Sequence, residues 1–324
     1  MKRGVGLVLL LIAVGIGVAY VYLGPGDSGE RPGRSAAVET VHIRYGSEKK
    51  GFLDDPDVQA ILCQSYGVAV DGTKMGSLEM SAGSIEGIDA LWPSSDLAAL
   101  LFSKRHPEAA FKKHNVFSTP IVFYSWPQIT EALIDTGVVQ QRQGVYYVID
   151  LQGYLKMMTA KTTWKSLGLN YQTGTVTIRC TDPSKSNSGF LLSGLLAVVL
   201  NGNEMVDAES LDRDLPVLVE IFKRMGYMEN SSGILFDKYI KQGQGAFPLI
   251  SNYESLIVEF YRAHPANQET IRNTIRVLIP EPTVWSAHPI IALTPGGQKL
   301  MQALQDENIQ QLAWERYGFR SGAM

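Results

Sequence analysis

The sequence has little cysteine, no surplus of basic residues and no pair of histidines at metal-ligand spacing. Two cysteines in 324 residues are too few for a disulfide framework or for a zinc site built mainly from thiolates. The 29 basic and 32 acidic residues give a net charge of −3, without the clustered basic excess of nucleic-acid binders. The sequence therefore predicts no metal site, no bound cofactor and no nucleic-acid partner.

One long apolar run stands at the start of the chain. Residues 5–23 carry no charge and follow Lys2 and Arg3. A membrane-spanning helix needs about 20 such residues, whereas the apolar region of a signal peptide usually has about 7–15. We therefore expect residues 1–23 to form a signal-anchor or transmembrane helix. A cleaved signal peptide is the alternative, because Gly17-Val18-Ala19 offers a small-residue cleavage site.

Charge placement then predicts where the rest of the chain lies. Lys2 and Arg3 favour a cytoplasmic N-terminus, so the bulk of the protein is expected outside the cytoplasm, periplasmic or extracellular, and anchored to the cell membrane. Residues 24–39 are rich in Gly, Pro, Ser and charge, and they predict a flexible tether. Apolar residues make up 45% of the chain, enough for a packed core in the residues beyond the tether.

From residue 40 onward, β-rich runs alternate with stretches of helical spacing. Residues 41–45 predict a strand, and Asp55-Pro56 is a typical start of a helix. Residues 68–80 predict a long strand, residues 175–180 a shorter one, and residues 190–200 a buried helix. Such alternation predicts an α/β fold with a mostly parallel sheet, whose ligands bind where strands lead into helices.

Four loops of that kind are rich in small hydroxyl residues. They contain Gly46-Ser47, Ser95, Ser125, and the segment 181–189 with Ser188-Gly189. Hydroxyl groups and free backbone N–H groups at a helix N-terminus suit an anion or a polar solute. The alternative for each loop is ordinary N-capping, because Ser and Asp are the usual capping residues.

Four stretches carry a family resemblance. They are Gly46-Ser47, the loop Asp182-Pro183 to Ser188-Gly189, the segment FPLISNYE at 247–254, and a tail from Gln310-Gln311 to Gly318-Phe319-Arg320. Their order over residues 40–320 resembles the bacterial extracellular solute-binding proteins of the type II periplasmic-binding fold, nearest the sulfate, molybdate and iron groups. A membrane tether is a departure, since family members are often released or lipid-anchored.

The resemblance implies a two-lobed protein that is not an enzyme. Lobe 1 would comprise residues 40–122 plus 252–324, and lobe 2 residues 123–251, each a mostly parallel sheet flanked by helices. The crossing strands would lie near 119–125 and 247–251. A small polar solute or oxyanion would be captured between hinged lobes and delivered to an ABC-type importer, through a membrane permease and its ATPase. By position, the ligand-binding residues would be Gly46, Ser47, Ser95, Ser125, Ser188, Gly189 and Tyr253.

Two other functions remain open on the sequence. A membrane-anchored envelope sensor or scaffold could use the same fold without transport. A serine acyl-transfer enzyme is suggested by Ser47-Glu48-Lys49-Lys50, which fits the S-x-x-K pattern. Against it, Lys161-Thr162-Thr163 lacks the glycine of K-T-G, and no S-D-N occurs. Gly51, with Asp55-Pro56 beyond it, is also expected to break the helix that should hold the serine and the lysine on one face. Lys49-Lys50 is otherwise expected on a solvated face.

The identity of the solute is left open by the candidate loops. Neutral hydroxyl and N–H donors favour a tetrahedral oxyanion, while Lys185 and Arg44 keep a phosphorylated or carboxylate solute in consideration.

Overall fold

The computed structural model describes residues 38–321. The predicted signal-anchor at 1–23 and nearly all of the predicted tether lie outside the described residues. Within residues 38–321, no helix is both long enough and apolar enough to cross a membrane.

Ten strands form one mixed sheet in this region. They are β1 (Glu39–Tyr45), β2 (Val68–Lys74), β3 (Ala90–Trp92), β4 (Lys112–Ser125), β5 (Val139–Arg142), β6 (Tyr146–Asp150), β7 (Leu249–Tyr253), β8 (Arg276–Glu281), β9 (Trp285–Ala292) and β10 (Arg320–Ser321). Their order is β2-β1-β3-β9-β4-β8-β6-β5, with β7 and β10 also paired to β4.

Thirteen α-helices flank the sheet in the described region. They are α1 (Lys50–Asp54), α2 (Pro56–Tyr66), α3 (Ser77–Ala82), α4 (Asp96–Arg105), α5 (Pro127–Asp135), α6 (Leu151–Thr159), α7 (Asn187–Leu200), α8 (Ala208–Met225), α9 (Ser232–Ala246), α10 (Glu254–Ala263), α11 (Gln268–Thr274), α12 (Pro295–Ala303) and α13 (Glu307–Tyr317). The α/β class predicted from the sequence is confirmed.

The prediction of a mostly parallel sheet is wrong. Strand β1 pairs in parallel with β2 and β3, and β6 with β8, but every other pairing between strands in the described region is antiparallel. The physical reason is the 14-residue strand β4. Strands β9 and β8 run back along its N-terminal and C-terminal parts, in the opposite direction.

Strand β4 divides the sheet into two halves, each with its own apolar core. The first half comprises β2, β1, β3, β9 and the N-terminal part of β4, and its largest core contains Phe52, Trp92 and Phe117. The second half comprises β7, β8, β6, β5 and the C-terminal part of β4, and its core contains Tyr154 and Trp164. Strand β8, within the range 252–324 assigned to lobe 1, pairs with β6 in the second half.

Local sequence signals account for many of the element boundaries. Asp55 caps helix α2 by accepting a hydrogen bond from the Asp57 amide at 2.8 Å, and Pro56 opens its first turn. Gly67 ends the same helix in the left-handed conformation, at φ 57°. These caps fix where β2 begins, and β2 starts at the next residue.

Two predicted strands differ in the structure. The strand expected over residues 68–80 ends at Lys74, because the chain turns at Gly76 and continues as helix α3. Residues 175–180 form only isolated bridges, from Thr175 to Thr163 and from Arg179 to Ile250, and not a continuous strand. The alternating sequence of residues 175–180 therefore gives an extended backbone, but it makes only these two bridges and does not pair continuously with a neighbouring strand.

Candidate functional site

A cavity of about 390 Å³ lies between residues of the two halves of the sheet. Its lining is dominated by polar side chains and small residues. They are Gly46, Ser47, Glu48, Lys74, Met75, Gly76, Ser77, Glu79, Ser94, Lys185, Ser186, Asn187, Asn230, Ser231, Ile234 and Tyr253. We call this cavity the cleft.

Two long helices begin at the cleft. Ser186 precedes α7 and Ser231 precedes α9, and both residues line the cleft. Ser231 caps its helix through a hydrogen bond from the Ile234 amide, whereas the Ser186 side chain provides no such bond. The first amides of α7 are therefore left uncapped at the positive end of the helix dipole, which favours negative charge.

The turn after β1 supplies a third set of polar groups. Gly46 and Ser47 both line the cleft, and the Ser47 hydroxyl forms no hydrogen bond with any residue of the described region. A Cβ atom on Gly46 would lie 2.6 Å from both Glu48 Oε1 and Ser94 Oγ, closer than real Cβ contacts allow. A side chain at position 46 would therefore have to displace the Glu48 carboxylate or the Ser94 hydroxyl from the positions described below. The Ser47 hydroxyl, by contrast, is unpaired at the edge of the cavity.

Behind this turn lies a buried charged network. Glu48 Oε1 accepts hydrogen bonds from Lys49 Nζ at 2.5 Å and from Ser94 Oγ, and it lies 3.4 Å from His288 Nδ1. Lys49 Nζ also donates to Ser94 Oγ at 2.9 Å. Lys49 and His288 are fully buried. The expectation that Lys49 lies on a solvated face is wrong, because Glu48 compensates its charge in the interior.

The network fixes the protonation states of its members. Burial alone would raise the pKa of Glu48, but the Lys49 ammonium and the contact with His288 outweigh burial and hold that pKa well below its usual range. Burial and the Lys49 charge lower the pKa of His288 to about 4, so the imidazole is neutral at pH 7. Glu48 therefore stays ionised where it faces the cleft.

A hydrogen bond from Asn187 joins the two halves of the sheet across the cleft. Asn187 Nδ2, at the start of α7, donates to the Ser94 carbonyl at 2.6 Å and to Tyr253 Oη at 3.0 Å. Burial and the Glu48 charge raise the pKa of Tyr253 far above its usual range, so the phenol keeps its proton. The Lys185 carbonyl approaches Gly76 so closely that a Cβ there would lie 2.3 Å from it.

The rim of the cleft carries both signs of charge. Lys74 and Lys185 are exposed and line it, and so does Glu79. Because the Glu48 charge is balanced by Lys49, the unbalanced charge at the cleft is positive. Such a rim attracts a small anion by an amount that falls with ionic strength.

The structure brings three of the seven predicted site residues together at the cleft: Gly46, Ser47 and Tyr253. Ser95 lies beside it and caps α4 by accepting from the Leu97 amide, so the neighbouring Ser94 is the residue that lines the cleft. Ser125 is fully buried, and its hydroxyl has no partner among the described residues.

Ser188 and Gly189 lie in the wall behind the cleft. The Ser188 hydroxyl is within 2.8 Å of both Thr181 Oγ1 and Ser232 Oγ, and Ser188 does not line the cavity. Gly189 packs against the Thr181 carbonyl, where a Cβ would lie 2.1 Å from the oxygen. The hydroxyl cluster of Ser188 thus links the first turns of α7 and α9.

Sequence reasoning missed Glu48, Ser94, Asn187 and His288 as site components. Ser94 adjoins Ser95 and Asn187 lies within the segment 181–189, so both belong to loops selected for hydroxyl groups and free backbone N–H groups. No local signal identifies His288, because it reaches Glu48 only through the pairing of β9 with β4.

The S-x-x-K pattern does not form a nucleophile and base pair. Lys50 is exposed and bonds to Asp54, four residues away, rather than to Ser47. Ser47 and Lys50 lie in different elements, the 3₁₀ turn Ser47–Lys49 and helix α1, so no single helix holds both on one face. Gly51 itself lies inside α1, and the helix ends before Asp55-Pro56. No cluster of three histidine, cysteine or acidic residues that could hold a metal occurs within residues 38–321.

Solved structures with a similar fold come from several bacteria. The sulfate-binding protein SubI from Mycobacterium tuberculosis H37Rv is 13% identical with a TM-score of 0.56, and the match covers 87% of this chain and 86% of that one. A substrate-binding protein with bound phosphate from Clostridium perfringens has the same identity and TM-score, with coverage of 87% and 99%. The periplasmic molybdate-binding protein of Azotobacter vinelandii is 12% identical with a TM-score of 0.51, with coverage of 86% and 98%.

These similarities establish the fold. The chain has the type II fold of periplasmic solute-binding proteins, and the resemblance predicted from the sequence is confirmed at that level. No protein-family model matches the chain, and no curated protein matches it in sequence.

Proposed function

We propose that this protein captures a small oxyanion in the cleft and is a binding protein rather than an enzyme. The observation that carries the proposal is the convergence of α7, α9 and the Gly46-Ser47 turn on one polar cavity. Helix N-termini and unpaired hydroxyl groups bind anions without a full counter-charge, through hydrogen bonds alone. Exposed Lys74 and Lys185 add attraction at the rim.

The Glu48 carboxylate refines the solute class. All side-chain hydrogen bonds and ion pairs of Glu48 within residues 38–321 use Oε1, so Oε2 is left as a hydrogen-bond acceptor in a residue that lines the cleft. An acceptor beside several donors suits a solute that carries a proton of its own as well as negative charge. A fully deprotonated anion would face repulsion at that atom.

Binding is proposed to close the two halves of the sheet around the solute. The hydrogen bond from Asn187 to Ser94 and the approach of Lys185 to Gly76 both span the cleft, and both support a closed arrangement. Small-angle scattering should give a larger radius of gyration without solute than with it. Equal radii at zero and saturating solute would contradict closure.

We further propose that the protein is anchored outside the cytoplasm and delivers its solute to an ABC-type importer. The supporting observations are the fold and the uncharged run at residues 5–23. Intact-mass measurement of the protein extracted from membranes should show that residues 1–23 are retained. A mature N-terminus near residue 20 would show instead a cleaved and released protein.

Ser47→Ala is the sharpest test of the binding site. The Ser47 hydroxyl has no described partner to lose, so stability should stay unchanged while one hydrogen bond to the anion disappears. Such a bond is worth about 1.5–3 kcal/mol, so affinity should fall about 10- to 100-fold. Calorimetric titration of the full chain with sulfate, molybdate and phosphate measures the effect.

A matched control is Ser65→Ala, an exposed serine of α2 whose hydroxyl, like that of Ser47, forms no hydrogen bond with any residue of 38–321. It should leave both affinity and melting temperature unchanged. Absence of binding for every anion in the panel, or equal affinities for the two serine variants and the unaltered chain, would remove the oxyanion proposal.

A further inference from the structure

A second cavity, of about 590 Å³, lies in the second half of the sheet and shares no lining residue with the cleft. Residues on three segments form its polar wall: the extended stretch that includes Gln172, Thr177 and Arg179, the end of α8 with Arg224, and Glu229 facing Lys238 of α9. We call this cavity the arginine pocket.

The arginine pocket carries an excess of positive charge. Lys238 Nζ lies 2.6 Å from Glu229 Oε1, so these two charges cancel. Arg179 and Arg224 have no carboxylate within ion-pair distance anywhere in residues 38–321. The pocket thus holds two uncompensated guanidinium groups in a chain whose net charge is −3.

Both guanidinium groups are anchored but not saturated. Arg179 donates to the Met225 carbonyl, and Arg224 Nη2 donates to the Met158 carbonyl at 2.5 Å. A guanidinium has five N–H donors, so each keeps several for a ligand. Arg224 Nε is buried and has no hydrogen-bond partner among the described residues.

Neutral polar atoms of the pocket are also left without partners. Gln172 is only 5% exposed, and its Nε2 donates to the Gly245 carbonyl at 3.1 Å, but its Oε1 accepts nothing from the described residues. Thr177 Oγ1 is likewise buried and unpaired there. Leaving buried polar groups without hydrogen bonds is unfavourable, so a ligand that pairs with them gains affinity.

We propose that the arginine pocket is a second binding site, for a small organic anion that carries a hydroxyl group. A carboxylate or phosphate group pairs with the guanidinium forks, which match the planar spacing of two such oxygens. The hydroxyl group donates to Gln172 Oε1, and Thr177 Oγ1 adds one hydrogen bond to the anionic group. This site is independent of the oxyanion cleft and of its proposed solute.

Calorimetric titration of the full chain tests the site with malate, succinate and glycerol 3-phosphate. Malate differs from succinate by one hydroxyl group, so malate should bind at least threefold more tightly. Whichever of malate and glycerol 3-phosphate binds more tightly identifies the anionic group as carboxylate or phosphate. No heat of binding for any of the three at millimolar concentration would overturn the proposal.

Variants then locate the binding. Arg224→Met should weaken malate binding at least tenfold, whereas Arg105→Met, an exposed arginine at the end of α4, should not change it. Because Arg224 also holds the Met158 carbonyl, Thr177→Val provides a second variant. It removes only an unpaired hydroxyl group, since the fold uses the Thr177 carbonyl, which accepts from Tyr154.

Thr177→Val should melt no lower than the unaltered chain, because it removes an unpaired buried hydroxyl group, and should bind malate at least threefold more weakly. Unchanged malate binding in both pocket variants would refute the site. Phosphate titrated into the same variants separates the two cavities: the cleft should bind it equally well in each, whatever happens to malate.

Discussion

Lys49→Met tests whether the buried charge pair behind the cleft holds the fold together. Lys49 is fully buried, with Nζ 2.5 Å from Glu48 Oε1 and 2.9 Å from Ser94 Oγ. Methionine has a similar length and no charge, so the substitution leaves the Glu48 carboxylate buried without its ammonium partner. Removing one partner of a buried pair costs about 3–5 kcal/mol. That is a large share of the roughly 5–15 kcal/mol that stabilises a typical domain.

Urea unfolding followed by tryptophan fluorescence gives the free energy of unfolding. The neighbouring Lys50→Met is the matched control, because Lys50 is half exposed and pairs only with Asp54 on the surface. It should change the free energy of unfolding by less than about 1 kcal/mol. The double variant Glu48→Gln with Lys49→Met should recover part of the loss, since neither remaining side chain is charged.

The pH dependence distinguishes a charge effect from a packing effect. In the unaltered chain the pKa of Glu48 is lowered on folding, so its contribution to stability is present above about pH 4.3, the unfolded value, and is lost as pH falls below it. Without Lys49, burial raises that pKa, so stability should instead fall as pH rises above about 4.3. A loss below about 1 kcal/mol, or the same pH slope in both proteins, would refute the reasoning.

Two further predictions concern the wall of the cleft and its surroundings. Ser188→Ala breaks the contacts with Thr181 and Ser232, so it should lower the free energy of unfolding by about 1–3 kcal/mol. Its oxyanion affinity should stay within about threefold of that of the unaltered chain. A large affinity loss at unchanged stability would place Ser188 at the solute instead. Burial and the nearby Asp54 raise the pKa of Glu259 to about 7. Stability should therefore fall as pH rises from about 4.3 to about 7, and Glu259→Gln should abolish that decline in melts at pH 5 and pH 8. An equal decline in the variant would assign it to other groups.

Signals confined to a few residues were enough to predict much of the fold. The Asp55-Pro56 cap, the glycine that ends α2 and the apolar run of α7 each depend on contacts within one element or its flanking turn. The same is true of the Gly46-Ser47 turn and of the hydroxyl-rich loop before α7. Such features depend on residues that are neighbours in the sequence, so the sequence alone predicts them.

Strand β9 shows why the rest was not predictable. It contains Pro289, which argues against a strand because proline has no amide hydrogen to donate. In the structure Pro289 pairs with Asn115 beside a register shift in β4, where a missing donor is tolerated. Strand β9 places His288 beside Glu48. The burial of Lys49 and the network behind the cleft therefore depend on the pairing of β9 with β4, two segments that are distant in sequence.

The close approach at Gly76 has a consequence for residence time. Gly76 has φ −64°, a conformation open to any residue, so Gly76→Ala should fold normally. The added methyl group would meet the Lys185 carbonyl across the cleft and keep the two halves apart, raising the free energy of the closed state. Stopped-flow measurements should then show faster solute release at a nearly unchanged capture rate. A single hydrogen atom in place of a side chain would thereby determine how long a captured ion stays bound.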